Sequence, residues 1–212
     1  YKIGVMPEGL DASALYAGWA DGAYRFERYK SSDKKTPRLL IEKGADIEAA
    51  SREANAVDLV RDLINTPAQD MGPSQIEQAA RDLAKAYDAD IDVVTGDDLL
   101  TKNYPMVHAV GRAAADAPRY IEITWGAEDA PKLAIVGKGV AFDTGGLNIK
   151  TGNYMRLMKK DMGGGAHALG LARMIMSAGL NVRLSVHVPA VENAVGAGAF
   201  RPGDVLTSRK GL

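Results

Sequence analysis

Four residues within one glycine-rich stretch could carry metal-dependent chemistry: Lys138, Asp143, Lys150 and Asp161. Carboxylate oxygens are hard ligands that suit divalent cations. A lysine amine is a less common ligand, because it must first lose its proton, and burial beside a cation favours that loss. These residue types therefore predict a metal site built on carboxylates and an amine.

Two other interpretations account for the glycines around Lys138. A phosphate-binding loop would need the Walker pattern or the pattern Gly-x-Gly-x-x-Gly. Val140 breaks the first pattern, and Phe142 occupies the third glycine position of the second. A structural turn with solvated charges is the other alternative. Asp161 favours the metal site, because it precedes a glycine-lined helix start whose positive end keeps a carboxylate ionised.

Composition narrows the chemistry further. The chain has 212 residues, no cysteine, and three histidines that are far apart in sequence: His108, His167 and His187. Without cysteine there is no disulfide scaffold, thiol nucleophile or thiolate zinc site, and no histidine-rich metal site is expected. The 26 basic and 27 acidic residues give a net charge of -1, which argues against a dedicated nucleic-acid binder. Glycine is in excess: 23 of the 212 residues are glycine, which is about 11% against an average of about 7%.

Hydrophobic periodicity predicts an alternation of helices and strands. The predicted helices cover residues 11–29, 46–64, 74–87, 97–102 and 163–178, and the predicted strands cover 38–42, 91–94, 120–125, 132–137 and 182–190. Residues 106–111 are apolar and ambiguous. Ser74 and Glu77 predict a capping box, and the run 132–137 is typical of a buried parallel strand. The alternation predicts the α/β fold class, with a mostly parallel central sheet flanked by helices.

Several blocks along the chain resemble the leucyl aminopeptidases, also called cytosol aminopeptidases, a family of dinuclear metallopeptidases. The blocks cover residues 18–30, 62–68, 110–112, 136–150, 155–165, 189–193 and 200–205. They occur in the order that the family has them. The resemblance implies a metal-dependent aminopeptidase that releases N-terminal residues, preferably leucine-like ones, from peptides.

The resemblance also implies a role for each candidate residue. Lys138 matches a ligand of one ion, Asp143 the carboxylate between the two ions, and Asp161 a further ligand of the ion that Lys138 binds. Lys150 matches the catalytic lysine, which polarises the scissile carbonyl and stabilises the oxyanion. Met158 matches an apolar residue in the pocket for the first substrate side chain. The two ions, zinc, manganese or magnesium, bind the free amine and activate a bridging water.

One block of the family has no counterpart in this sequence. The Asp and Glu of an Asn-Thr-Asp-Ala-Glu-Gly-Arg block complete the metal shells, and its Arg holds a bicarbonate to which the role of base is assigned. Glu192 and Asp204 lie in blocks that resemble structural parts of the family. The resemblance therefore implies an internal piece of a longer enzyme, with about half of a site and no activity alone.

The same resemblance divides the chain into two parts. Residues 1–43 match the C-terminal part of the family's N-terminal α/β domain. Their predicted content also indicates an incomplete domain, because one helix and one strand cannot bury a core alone. Residues 44–212 match the first part of the catalytic domain.

The expected partners follow from the family and from the charge. The resemblance implies a cytoplasmic homo-hexamer that acts on peptides, with no membrane partner and no nucleic acid. One basic cluster is a solvated face or, as in some family members, a DNA contact: Arg25, Arg28, Lys30, Lys34, Lys35 and Arg38. A non-catalytic binding or assembly module that keeps the fold is the alternative function.

Overall fold

The computed structural model describes residues 8–9, 12–33, 35–41 and 47–212. The α-helices of these residues are α1 (Ala12–Ala23), α2 (Glu48–Asn65), α3 (Pro73–Ala86), α4 (Asp98–Thr101), α5 (Pro105–Gly111), α6 (Gly152–Met155) and α7 (Gly163–Ser177). Two 3-10 helices cover Ala68–Asp70 and Met158–Met162. The strands are β1 (Asp90–Thr95), β2 (Arg119–Trp125), β3 (Lys132–Val136), β4 (Gly139–Asp143) and β5 (Arg183–Asn193).

The first helix ends earlier than its spacing predicts. It stops at Ala23 rather than near residue 29, and the Arg25 guanidinium donates to the carbonyls of Gly22 and Tyr24 at 3.2 and 2.7 Å. These bonds satisfy carbonyls that a continued helix would have used. The strand predicted over 38–42 is also wrong for residues 38–41, which form an isolated bridge at Leu40.

Some predictions for this part of the chain lie outside the described residues. These include the boundary at residues 43/44, the helix residues 11 and 46, strand residue 42, and Lys34 of the basic cluster. The domain boundary therefore stays a prediction.

The start of α3 is capped differently from the predicted box. Gly72 precedes the helix, and its N–H donates to the Gln75 side chain at 3.0 Å. Ser74 N–H and Oγ both donate to Asp116 Oδ2 at 2.8 Å. A carboxylate distant in sequence therefore satisfies the free N–H groups of the first turn, which local sequence did not indicate.

The strands form one five-stranded sheet in the order β1-β2-β5-β3, with β4 also paired to β5. Both β1 with β2 and β2 with β5 pair antiparallel, whereas β3 and β4 run parallel to β5. The α/β class is confirmed, but the sheet is mixed rather than mostly parallel. The connection from β1 to β2 contains only the short helices α4 and α5, of four and seven residues, and not the longer helix that is usual in a parallel crossover.

One face of the sheet carries the main core. Helices α3 and α7 pack on it, and α2 packs on the outside of α7. The alternate residues Leu184, Val186 and Val188 of β5 point into this core with exposures of 0 to 1%. The predicted buried helix over 163–178 is thus confirmed as α7, and its small residues allow close packing: a Cβ on Gly170 would lie 2.5 Å from Val60 of α2.

The opposite face is half-buried and polar. There the ring of Tyr120 stacks on Tyr104 with centroids 4.0 Å apart, and its hydroxyl lies 3.0 Å from His187 Nδ1. Burial raises the pKa of Tyr120 to about 12. In the described part of the chain, no helix is both long and apolar enough to cross a membrane.

Candidate active site

The segment after β3 continues the sheet instead of forming a loop. Val136 pairs with His187 and Gly139 with Ala190, so β3 and β4 keep one register on β5 across the break at Gly137 and Lys138. The register shifts between Val140 and Asp143. Residues 139–143, for which a structural turn was one of the interpretations, form a strand that ends in an irregularity.

The break between β3 and β4 lies against the first turn of α7. A Cβ on Gly137 would meet the Gly164 carbonyl oxygen at 2.5 Å, and one on Gly139 would meet the Pro189 carbonyl oxygen at 2.8 Å. The Gly165 N–H donates to the Lys138 carbonyl at 2.7 Å. Glycines are thus needed where one backbone touches another, and this contact joins Lys138 to the start of α7.

The edge formed by β3 is exposed. Val136 is 73% exposed and Leu133 is 38% exposed, so the prediction of a buried strand is wrong, although its parallel direction is confirmed. An apolar run reports what a strand can bury, but the position in the sheet decides what it does bury.

Lys138 and Asp161 form the first of two lysine–carboxylate pairs. Lys138 Nζ donates to Asp161 Oδ1 at 3.0 Å and lies 2.9 Å from Oδ2. The Lys138 side chain is 60% exposed, whereas that of Asp161 is 19% exposed. Asp161 Oδ2 is buried and, among the described residues, accepts no hydrogen bond of proper geometry, so the short distance to Nζ does not satisfy it.

Asp143 and Lys150 form the second pair, with Nζ 3.1 Å from Oδ2. Oδ1 of Asp143 accepts from the Gly145 N–H at 2.9 Å and from Asn193 Nδ2 at 2.7 Å. Burial raises the pKa of Asp143, but these hydrogen bonds and Lys150 outweigh it and hold the pKa below its ordinary value. Asp143 is therefore an ionised carboxylate with a charged partner.

A tight turn carries Lys150 back to Asp143. The Lys150 N–H donates to the Thr144 carbonyl at 2.9 Å. Gly145 has a φ of +88°, and a Cβ there would meet the Asn148 carbonyl oxygen at 2.3 Å, so a side chain would fit neither the backbone angle nor the space. The turn borders an open cavity of about 510 Å³, whose wall includes Asp143, Lys150 and Asn193.

The two pairs are on neighbouring elements. The 3-10 helix Met158–Met162, which contains Asp161, packs against β4, at whose end Asp143 lies. Lys159 Nζ donates to the Asn65 carbonyl at 2.8 Å and so ties this 3-10 helix to the end of α2. Met158 is half-buried at the start of the 3-10 helix.

The donor set fits part of a site for hard cations. Two carboxylates are present, and one buried oxygen of Asp161 lacks a hydrogen bond. Each carboxylate faces an ammonium group, which supplies the positive charge that a cation would supply. Within the described ranges, no three His, Cys, Asp or Glu side chains gather closely enough to hold a metal ion. His108, His167 and His187 instead contact Asp97, the Gly163 carbonyl and Tyr120.

Asn193 is the site residue that the sequence did not indicate. It lies in the block 189–193, which carries part of the family resemblance, beyond the strand predicted over 182–190. Its contact with Asp143 joins residues 50 positions apart, and neither spacing nor residue type signalled it.

Fold and site together define a class of protein. Its members are mixed α/β domains with two lysine–carboxylate pairs, one of which lies beside the start of a helix. The sequence pattern described as "Cytosol aminopeptidase family, catalytic domain" matches residues 58–212. The chain belongs to the cytosol aminopeptidase family. This confirms the resemblance found in the sequence.

Individual relatives agree with this family. A probable cytosol aminopeptidase of Roseiflexus castenholzii is 37% identical over 94% of this chain and 44% of the relative. The crystal structure of a cytosol aminopeptidase from Coxiella burnetii has a TM-score of 0.90 and 45% identity, over 94% of this chain and 43% of that one. The bottromycin maturation enzyme BotP in complex with Mn has a TM-score of 0.85 and 32% identity, over 98% and 46% of the two chains. The chain therefore spans less than half the length of these relatives.

Proposed function

We propose that this chain supplies part of the active site of a metal-dependent aminopeptidase, which releases leucine-like residues from the N-termini of peptides. The observation that carries the proposal is the placement of Asp143 and Asp161 on adjacent elements, each beside a lysine, with an Asp161 oxygen that lacks a hydrogen bond. Membership of the aminopeptidase family supports it.

Some of these residues would bind the metal ions and others would act in catalysis. Asp143 and Asp161 would hold two divalent cations, with Lys138 as an amine ligand once deprotonated. Manganese, zinc and magnesium suit these ligands, and BotP was solved with manganese. When bound, such cations supply Lewis-acid activation of water and of the substrate carbonyl. A bicarbonate site would need the arginine of the family's Asn-Thr-Asp-Ala-Glu-Gly-Arg block, which has no counterpart in this sequence.

Lys150 supplies the positive charge for the reacting carbonyl. Its Nζ is held beside Asp143 by the turn from Thr144, so it is close to the proposed ligands without being one. In that position it stabilises the negative charge that develops on the carbonyl oxygen as water adds. Met158, half-buried on the neighbouring 3-10 helix, would line the pocket for the first side chain, where an adaptable apolar residue suits leucine.

The 212 residues alone would provide about half of the ligands and would be inactive. Two observations support this proposal: the absence of a three-ligand cluster in the described residues, and a length of 43 to 46% of the matched crystal structures. Hexamer formation and a cytoplasmic location belong to the same proposal, the latter supported by the relatives' name, cytosol aminopeptidase.

The decisive experiment uses the full-length gene product with manganese and a chromogenic leucine substrate. Asp143→Ala removes activity, and Lys150→Ala lowers kcat by about 100- to 1000-fold, the usual effect of removing one oxyanion partner. Lys160→Ala, an exposed neighbour of Asp161, is the control and keeps its activity. Full activity in Asp143→Ala would show that the assignment is wrong.

Calorimetry distinguishes the proposed enzyme function from the alternative, a non-catalytic binding or assembly module. The 212-residue chain is titrated with zinc or manganese, and the same titration is made with the full-length gene product. We expect weak or absent binding by the chain and binding by the gene product. Tight dinuclear binding by the 212 residues would contradict the half-site, and a gene product without metal binding or activity would favour the binding or assembly module. A gel shift at physiological salt tests the basic cluster for DNA binding.

A further inference from the structure

We propose that Asn193, the last residue of β5, is a positioning residue that orients the carboxylate of Asp143 for a divalent cation. The inference rests on the function proposed above, in which Asp143 is a cation ligand. It assigns a role to a residue that contacts no reacting group and acts only through Asp143.

The side-chain amide of Asn193 faces Asp143 in one orientation. Nδ2 donates to Asp143 Oδ1 at 2.7 Å, and an ionised carboxylate only accepts hydrogen bonds, so the amide must present its N–H group. The Gly145 N–H donates to the same oxygen at 2.9 Å. Oδ2 faces Lys150 Nζ at 3.1 Å. Two donors on one oxygen thus leave the carboxylate little freedom to rotate.

The backbone of Asn193 is held as firmly as its side chain. Its carbonyl accepts from the Thr144 N–H at 3.0 Å and from Thr144 Oγ1 at 2.7 Å. Gly146 approaches so closely that a Cβ there would lie 2.9 Å from Asn193 Oδ1. The amide is therefore enclosed by the turn that carries Lys150, and it links β5 to both members of the pair.

The irregularity in β4 brings the two residues together. The pairing of β4 with β5 shifts by one position between Val140 and Asp143, and the shift places Asp143 opposite Asn193. Bulges next to active sites commonly re-aim a side chain in this way. Without the shift, Asp143 would be opposite residue 194, outside the strand.

A hydrogen-bond donor that orients a ligating carboxylate raises metal affinity, because the carboxylate does not have to be ordered on binding. Removal of such a partner typically weakens metal affinity or activity by about 10- to 100-fold. Asn193→Asp keeps the shape of the side chain, but it replaces the donor by an acceptor that repels Asp143. Asn193→Ala removes the donor without adding charge.

The test measures manganese affinity by calorimetry in the metal-free full-length gene product. The two Asn193 variants are compared with the wild type, with Asp143→Ala, and with Asn181→Asp as a control at an exposed position two residues before the start of β5. We expect a Kd about 10- to 100-fold higher in both Asn193 variants, with an unchanged near-UV circular dichroism spectrum of the metal-free protein. Asn181→Asp keeps the wild-type Kd. Excess manganese restores kcat in Asn193→Ala.

Three results would overturn the inference. A wild-type Kd in Asn193→Ala, together with loss of binding in Asp143→Ala, removes the role of Asn193 and leaves the proposed function standing. Loss of the near-UV spectrum in both Asn193 variants assigns the residue to folding instead of positioning. Wild-type binding by Asp143→Ala removes the proposed function and the inference with it.

Discussion

The amine of Lys138 lies 3.0 Å from Asp161 Oδ1, and this contact depends on three glycines around it. Gly137 and Gly139 flank the lysine, and Gly164 belongs to the helix turn that the lysine backbone touches. The glycine excess therefore has a specific use, since the segment bearing the amine and the helix following the carboxylate meet backbone to backbone.

A single methyl group at Gly137 should disturb this contact. Gly137→Ala would place a Cβ 2.5 Å from the Gly164 carbonyl oxygen and 2.7 Å from Ala168 Cβ, so backbone must move. We expect a loss of about 1–3 kcal/mol in the free energy of unfolding, as for other overpacked sites, measured by urea unfolding. Gly18→Ala is the control, because nothing lies within 4 Å of its Cβ inside α1. The control should gain about 0.5–1 kcal/mol.

Lys138→Met should separate metal binding from stability. The lysine side chain is 60% exposed, so its ion pair contributes at most about 1 kcal/mol to the metal-free protein. The rise in Tm on adding manganese to the full-length gene product should fall, since each tenfold loss of affinity removes about 1.4 kcal/mol of stabilisation. Lys160→Met, exposed on the 3-10 helix that contains Asp161, should keep the whole rise. An unchanged rise in Lys138→Met would exclude the amine as a ligand.

Arg119 should be the most costly charge to remove. It is 8% exposed and pairs with Glu77 and Asp116, and Asp116 also caps α3. Arg119→Met leaves both carboxylates without this partner, so we expect a loss of about 3 kcal/mol in chemical denaturation, at the low end for buried pairs. Arg81→Met removes the other, 44% exposed arginine of Glu77 and should cost less than about 1 kcal/mol. Equal effects of the two variants would contradict this ranking.

Glu77 should make the stability depend on acid pH. Burial raises its pKa, but hydrogen bonds from Arg119 and Arg81 outweigh burial and lower the pKa below its ordinary value. A lowered folded-state pKa gives stability that is complete above the unfolded value of about 4.3 and is lost as pH falls through the folded value. Urea unfolding between neutral pH and acid should therefore show a shallower decline for Glu77→Gln than for wild type. Glu53→Gln, exposed on α2, should decline like the wild type.

Local patterns in the sequence were sufficient for most elements. Helical spacing predicted α2, a run of small and apolar residues predicted α7, and alternation predicted β2 and β5, because which residues face the core is a property of a few neighbouring positions. Residues 106–111, whose pattern was ambiguous, form α5 together with Pro105, which lies in the first turn of the helix. The ends of elements were less predictable: Arg25 ends α1, and Asp116 caps α3 from 42 positions away.

By itself, the sequence determined the α/β class and the family, because residue types and short blocks carry that information. Only the tertiary structure decided the antiparallel pairing of β2 with β1 and β5, the exposed edge at β3, the strand β4 inside a glycine-rich stretch, and the partnership of Asp143 with Asn193. Strand direction and the choice of pairing partner depend on contacts between segments far apart in the chain, whereas local periodicity fixes only which face of a strand is buried.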